Sequence, residues 1–168
     1  MDIVWHALQP ADDALRSHVA AVYRVDAGEV TIGRHCPACG SDVHGRPWLR
    51  LPHGPSPRVS LSRCGAHVVT VVADDPVGID VESIAAVDAR WDPDLVLHPG
   101  ESADTPAERA ATWCRKEAVL KALGTGLRTP MPDIRWADWP VRDLPAPAGL
   151  AASVVVIRQS GSDGRSVS

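Results

Sequence analysis

Apolar and polar positions alternate over Asp2 to Ala7, which predicts a short opening strand. From Asp13 to Arg24 the spacing changes. Leu15, Val19, Val22 and Tyr23 recur at helical intervals, so a helix is expected. Residues 31 to 56 lose both periods; rich in Gly, Pro, His and Cys, with a tight Gly45-Arg46-Pro47 turn, they read as an irregular loop. Three runs rich in β-branched residues follow: Arg58 to Arg63, His67 to Ala73 and Val77 to Ser83. Their separators, Cys64-Gly65-Ala66 and Asp74-Asp75-Pro76, have hairpin length, so an antiparallel meander is expected. A long helix is expected from Thr105, because Pro106 sits at a first-turn position, Glu108 falls three residues after Thr105, and Gly124 and Gly126 close the run. Leu150 to Ile157 reads as a last apolar strand, and the Ser/Gly tail from Ser160 as disordered. No internal repeat is visible. Strands with one long helix laid against them make the class α+β.

Composition narrows the picture. A chain of 168 residues, 45% hydrophobic, fits one domain or two small halves sharing a core. No apolar run approaches the roughly 20 residues of a membrane span, and the N-terminus lacks a basic segment followed by an apolar one, so the reading is a cytoplasmic protein without a secretory signal. With 17 basic against 21 acidic side chains, the chain is not built around nonspecific attraction to nucleic acid. The four cysteines do not make a disulfide scaffold at this length. Cys36-Pro37-Ala38-Cys39-Gly40 has the spacing of a zinc knuckle, and His35 and His44 flank it as possible further ligands. Cys64 and Cys114 are isolated singles rather than a second matching pair, so the plainer reading is a reduced cysteine pair in a turn.

Only two of the basic residues are lysines, Lys116 and Lys121, on either side of Glu117. Codon usage explains the shortage of lysine but not the place of the two that remain. Trp113, Glu117 and Lys121 follow at i, i+4 and i+8, one stripe of a helix. In Gly78-Ile79-Asp80-Val81-Glu82, strand alternation sends Asp80 and Glu82 to one face and Ile79 and Val81 to the other. Adjacent carboxylates repel, and a hard divalent cation removes that conflict. Taken singly, each segment is better explained as an ordinary polar strand face or a stabilising helix pair.

Together they resemble the signature pair of the 4′-phosphopantetheinyl transferase superfamily. Val77-Gly78-Ile79-Asp80-Val81-Glu82 resembles its G-[IV]-D-x-E strand. Trp113, Lys116, Glu117, Ala118, Lys121, Gly124, Gly126 and Leu127 resemble its W-x-x-K-E-[AS]-x-x-K-x-x-G-x-G-L helix. Leu97 to Glu101 resembles the loop before that helix, His44-Gly45-Arg46-Pro47 the family's G-[KR]-P turn, and Val59 to Ser62 its N-[IL]-S-H strand; the Cys-x-x-Cys-Gly before the turn is similar to that of actinobacterial members. The resemblance implies a compact, Sfp-like, monomeric pseudodimer of two small α/β lobes with antiparallel sheet and a long helix. The expected lobes are a shortened N-terminal one over 1–75, with a coenzyme A-binding loop, and a C-terminal one over 76–158 with the metal and catalytic motifs; 159–168 form the tail. The implied reaction moves the 4′-phosphopantetheine arm of coenzyme A to a serine of an acyl- or peptidyl-carrier protein, with Mg²⁺, releasing 3′,5′-ADP. By resemblance, Asp80, Glu82 and Glu117 hold the metal, Glu117 takes the serine proton, and Lys121 neutralises the pyrophosphate. Arg46, Ser62 and Arg63 serve the 3′-phosphate and adenylate end, with Lys116 a further coenzyme contact. Arg128 and Arg135, in the stretch from Arg128 to Trp139, are a docking candidate for an acidic carrier helix.

The sequence also departs from the family. Arg63 stands where members have His, the chain is short for the Sfp-like class, and it contains no Phe. Two rival readings follow: a degenerate paralogue that binds coenzyme A or a carrier protein without transfer, and an interaction module built on the Cys36/Cys39 knuckle.

Overall fold

The computed structural model describes residues 1–36 and 38–158, with Leu127 described by its backbone alone. The expected disordered tail lies outside the described residues. The chain is α+β, with antiparallel sheets and few helices. Strand β1 (Asp2–Ala7) and helix α1 (Ala11–Tyr23) open it, and α1 buries Leu15 and Val19 while Val22 stays exposed. Strands β4 (Arg58–Cys64), β5 (His67–Ala73) and β6 (Val77–Ser83) fall on the three β-rich runs. Short helices α2 (Ile84–Asp88) and α3 (Pro93–Val96) lead to the long α4 (Pro106–Leu123). Its N-terminus is a complete capping box between Thr105 and Glu108, and Gly124, at φ 74°, ends it in a left-handed cap. Strands β7 (Val141–Asp143) and β8 (Leu150–Val156) complete the described chain.

Two expectations need correction. Within the segment read as an irregular loop, β2 (Thr31–His35) and β3 (Arg46–Arg50) pair antiparallel, with Gly33 opposite Trp48 and His35 opposite Arg46. The exposed Trp48 indole lies across Gly33, filling the space a side chain would take there. The meander also stops one strand early. β5 is the centre of a sheet ordered β1-β5-β4, so both its edges are already paired when the chain reaches β6. β6 therefore joins a second sheet, ordered β6-β8-β7.

The two sheets repeat one plan. In β1-α1-β4-β5 and in β6-α4-β7-β8, a strand and a helix precede two strands, and the last strand inserts between the other two. Each sheet has a free edge, β4 in one and β6 in the other, and these edges lie side by side. Val69 and Val71 of β5, Ile79 and Val81 of β6, and Val154 of β8 form one buried cluster across the join, while α1 covers a second cluster with Leu49 and Val59. Among the described residues, no helix is long and apolar enough to cross a membrane.

Candidate active site

The site begins with a glycine. A Cβ on Gly78 would lie 1.9 Å from the Ala118 carbonyl oxygen and 2.7 Å from the Ala122 nitrogen, so β6 and α4 approach backbone to backbone only because position 78 has no side chain. Ala118 and Ala122 are the matching small residues on the helix. The close approach carries Glu117 and Lys121, which flank Ala118 on α4, down to the acidic face of β6.

Asp80 is 3% exposed at the seam between the sheets. Its Oδ1 accepts from Lys121 Nζ at 2.6 Å and from Ser62 Oγ at 2.9 Å. Because β4 and β6 do not form a ladder with each other, their facing backbone groups need other partners. The Ile79 N–H donates to Ser60 Oγ at 3.2 Å, and Lys121 Nζ donates to the carbonyls of Ile79 at 3.1 Å and Leu61 at 3.5 Å. One ammonium thus neutralises an aspartate and satisfies a carbonyl on each sheet edge. Three donors around a compact centre suit that position better than a planar guanidinium does.

Three acids crowd this single cation. Burial, and then the charge of Asp80, push the Glu117 carboxyl up to about 7. The same two causes raise Glu82. Asp80 Oδ2 is buried without any hydrogen-bond partner. An orphaned carboxylate oxygen beside two acids that resist ionisation is a donor set that a hard dication completes. The three carboxylates are not drawn into a closed cage: Glu117 lines the main cleft, whereas Glu82 faces a smaller hollow of about 150 Å³ beside Trp91 and Trp113. Mg²⁺, which keeps waters and takes phosphate oxygens, fits so open a set better than an ion needing an all-protein cage.

The main cleft, of about 600 Å³, runs between the β2–β3 hairpin and α4. Glu117 and Lys121 line its α4 wall, and Arg34, Arg46 and Arg128 make it basic within an acidic protein. Arg46 Nη2 donates to the Ala122 carbonyl near the C-terminus of α4 at 3.3 Å. Burial and the neighbouring Arg58 hold its guanidinium below the usual arginine range. Arg58, Trp48 and Ser56 extend the groove into an adjoining hollow of about 340 Å³ that shares Arg46 and Gly124.

The structure therefore gathers Arg46, Lys121 and Glu117 in one cleft, with Asp80 behind Lys121. It does not bring the other expected coenzyme contacts there. The Ser62 hydroxyl is buried and committed to Asp80, so it orients an acid rather than meeting a ligand. Arg63 is exposed on β4 and lines neither hollow. Lys116 is fully buried on another face of α4, paired with Glu101 at 2.6 Å and donating to the Met131 carbonyl at 3.1 Å. Glu101 also accepts from the backbone of His98 and Trp136, pinning two loops to the helix. The sequence reading missed Arg34, Arg58, Ser60 and Trp48. Arg34 becomes visible only once β2 is recognised, because the hairpin register sets it opposite Pro47, beside Arg46.

The α+β fold thus holds a basic cleft that opens on an acidic cluster. Residues 76–152 match the family model of the 4′-phosphopantetheinyl transferase superfamily. The span begins at the turn before β6 and takes in Asp80, Glu82, Glu117 and Lys121. No curated protein matches the chain.

Proposed function

We infer that the protein transfers the 4′-phosphopantetheine arm of coenzyme A to a serine of an acyl- or peptidyl-carrier protein, with Mg²⁺, and releases 3′,5′-ADP. The observation that carries this reading is the composition of one cleft: a carboxylate and an ammonium side by side on α4, facing arginines on the β2–β3 hairpin. Those groups match what the reaction requires, a proton acceptor beside countercharge for a pyrophosphate. Arg46 and Arg58 would hold the phosphorylated ribose, and Trp48 offers a flat face to the adenine. Asp80, Glu82 and Glu117 would hold Mg²⁺, which when bound would withdraw charge from the pyrophosphate oxygens.

Glu117 accepts the proton of the carrier serine as its oxygen bonds to the phosphorus bearing the pantetheine arm. The bond from that phosphorus to the bridging oxygen breaks, and the electron pair leaves with 3′,5′-ADP. Lys121 stabilises the charge that grows on the departing phosphate. The protein contributes position and charge and no covalent intermediate. The partner is an acidic carrier whose serine enters from the Glu117 side, with Arg128 at the cleft rim to meet it.

The test is intact-mass analysis of an apo carrier protein incubated with coenzyme A, Mg²⁺ and the full chain. A gain of one phosphopantetheine is expected, with its loss in Glu117→Gln while circular dichroism stays unchanged. Coenzyme A binding without mass gain on several carriers would instead support a non-transferring paralogue.

A further inference from the structure

The ten-residue connection between β2 and β3 has almost nothing apolar to hold it, since Cys39, Gly40, Asp42, Val43 and His44 are all exposed, Val43 at 81%. It is nonetheless tightly wound. The Gly40 N–H donates to the Cys36 carbonyl at 2.8 Å and the Cys36 N–H to the Ser41 carbonyl at 2.9 Å; Gly40 takes φ 71° to make the turn. The backbone N–H groups of Cys39 and Ala38 point at the Cys36 sulfur and favour its thiolate. His44, eight residues after Cys36, folds back so that its Nε2 lies 3.4 Å from Cys39 Sγ. The donor atoms of Cys36, Cys39 and His44 all lie within 4.8 Å of one another, the only such group of three among the described residues. His35, the other flanking histidine, faces the adjoining hollow and stands outside the group.

We propose that Cys36, Cys39 and His44 bind one zinc ion that closes the β2–β3 connection and fixes the end of the hairpin at the cleft. Bond lengths of about 2.3 Å to sulfur and 2.0 Å to nitrogen put tetrahedral S and N ligands roughly 3.5 Å apart, the separation already present between Cys39 and His44. Two thiolates and an imidazole are soft donors that select zinc over Mg²⁺, so this ion does not exchange with the one proposed at Asp80. Three protein ligands leave the fourth tetrahedral position to a water. On binding, both thiols give up their protons to solvent. The ion has a structural consequence as well. Cys36 lines the cleft and follows directly on β2, while His44 and Gly45 lead into Arg46 at the start of β3. Tying Cys36 to His44 therefore fixes the hairpin end that presents Arg34 and Arg46.

This proposal stands independently of the transfer reading, because its test reads metal rather than product. The reduced full chain is stripped with a chelator, incubated with zinc in a large excess of Mg²⁺, desalted and measured by plasma mass spectrometry. One zinc per chain is expected, falling below a tenth in Cys39→Ser and in His44→Asn, and unchanged in His35→Asn and Cys64→Ser. Cobalt in place of zinc is expected to give the intense visible bands of a tetrahedral site with a thiolate charge-transfer band. Zinc is also expected to shield two thiols from a disulfide reagent, a readout that needs no variant. Failure to retain zinc with the thiols reduced, or undiminished zinc in Cys39→Ser, would overturn the proposal. So would loss of zinc in His35→Asn.

Discussion

Lys116 and Lys121 share one helix and one motif, yet their ammonium groups meet opposite surroundings. Lys116 is sealed against Glu101, whereas Lys121 sits at the open seam with its head between a buried acid and the cleft. Removing one partner of a buried ion pair strands the other charge, at a cost of about 3–5 kcal/mol. Lys116→Ala is therefore expected to lower unfolding stability by that amount in urea titration, and Lys116→Arg to lower it too, since a fully enclosed site has no room for the wider head. Lys121→Arg should keep more stability and lose more transfer. Equal loss of stability in Lys116→Ala and Lys121→Arg would mean that the two lysines do the same work. Both lysines stood out in the sequence because there are only two. Their separation into different roles did not, because Glu101 lies fifteen residues before Lys116 and only the folded loop brings it there. The bond from Ser62 to Asp80 is hidden for a related reason: a seryl hydroxyl on a strand looks available until the adjoining strand claims it.

At the scale of elements, the fit of α4 onto β6 decides whether the candidate site exists. Gly78→Ala would drive a methyl into the Ala118 carbonyl, a contact with backbone that no rotamer relieves. Overpacking of this kind costs typically 1–3 kcal/mol, and here the upper end is expected. Gly33→Ala is the informative contrast, because the atoms nearest its added methyl belong to the Trp48 indole, a side chain that is 43% exposed and held by one hydrogen bond to the Arg34 carbonyl. Urea midpoints of the two variants, with transfer assays alongside, are expected to show a large stability loss and inactive enzyme for Gly78→Ala and a small stability loss for Gly33→Ala. Similar midpoints would show that the close helix–strand approach is not required. Elements that announce themselves by local chemistry were legible in the sequence. The capping box and terminal glycines marked α4, and β-branched runs marked β4 to β6. The β2–β3 hairpin was not, because Gly33 and Pro47 dilute its pattern and a ten-residue connection separates its two strands. Strand partnering was equally hidden: hairpin-length separators favoured β5 with β6, and only the pairing of β1 with the far edge of β5 excludes it.

For the whole molecule, the consequence of two similar β-α-β-β units is that the basic cleft draws on both. Arg34 and Arg46 come from the strands before the join, Lys121 and Arg128 from the chain after it. A polyanion in the cleft would bridge the units, and a ligand that binds only the folded state adds stability by mass action, about 2.7 kcal/mol at a hundred times its dissociation constant. For a chain of this length that corresponds to roughly 5–11 °C in melting temperature. Coenzyme A is expected to raise the melting temperature by this order while leaving a single transition, since groups from both units grip it together. A melt that splits into two steps would place the ligand on one unit alone. Raising the salt from about 0.1 M to 1 M shortens the screening length from about 10 Å to 3 Å, so the increment should shrink with salt. Pantetheine, which carries the arm without phosphates, should give little shift, and Arg46→Ala should reduce the coenzyme A shift without removing it, because Arg34, Arg58, Lys121 and Arg128 remain. An equal shift with pantetheine would mean that the cleft holds its ligand by apolar contact. The arginines and Lys121 would then serve the protein's own seam rather than a pyrophosphate.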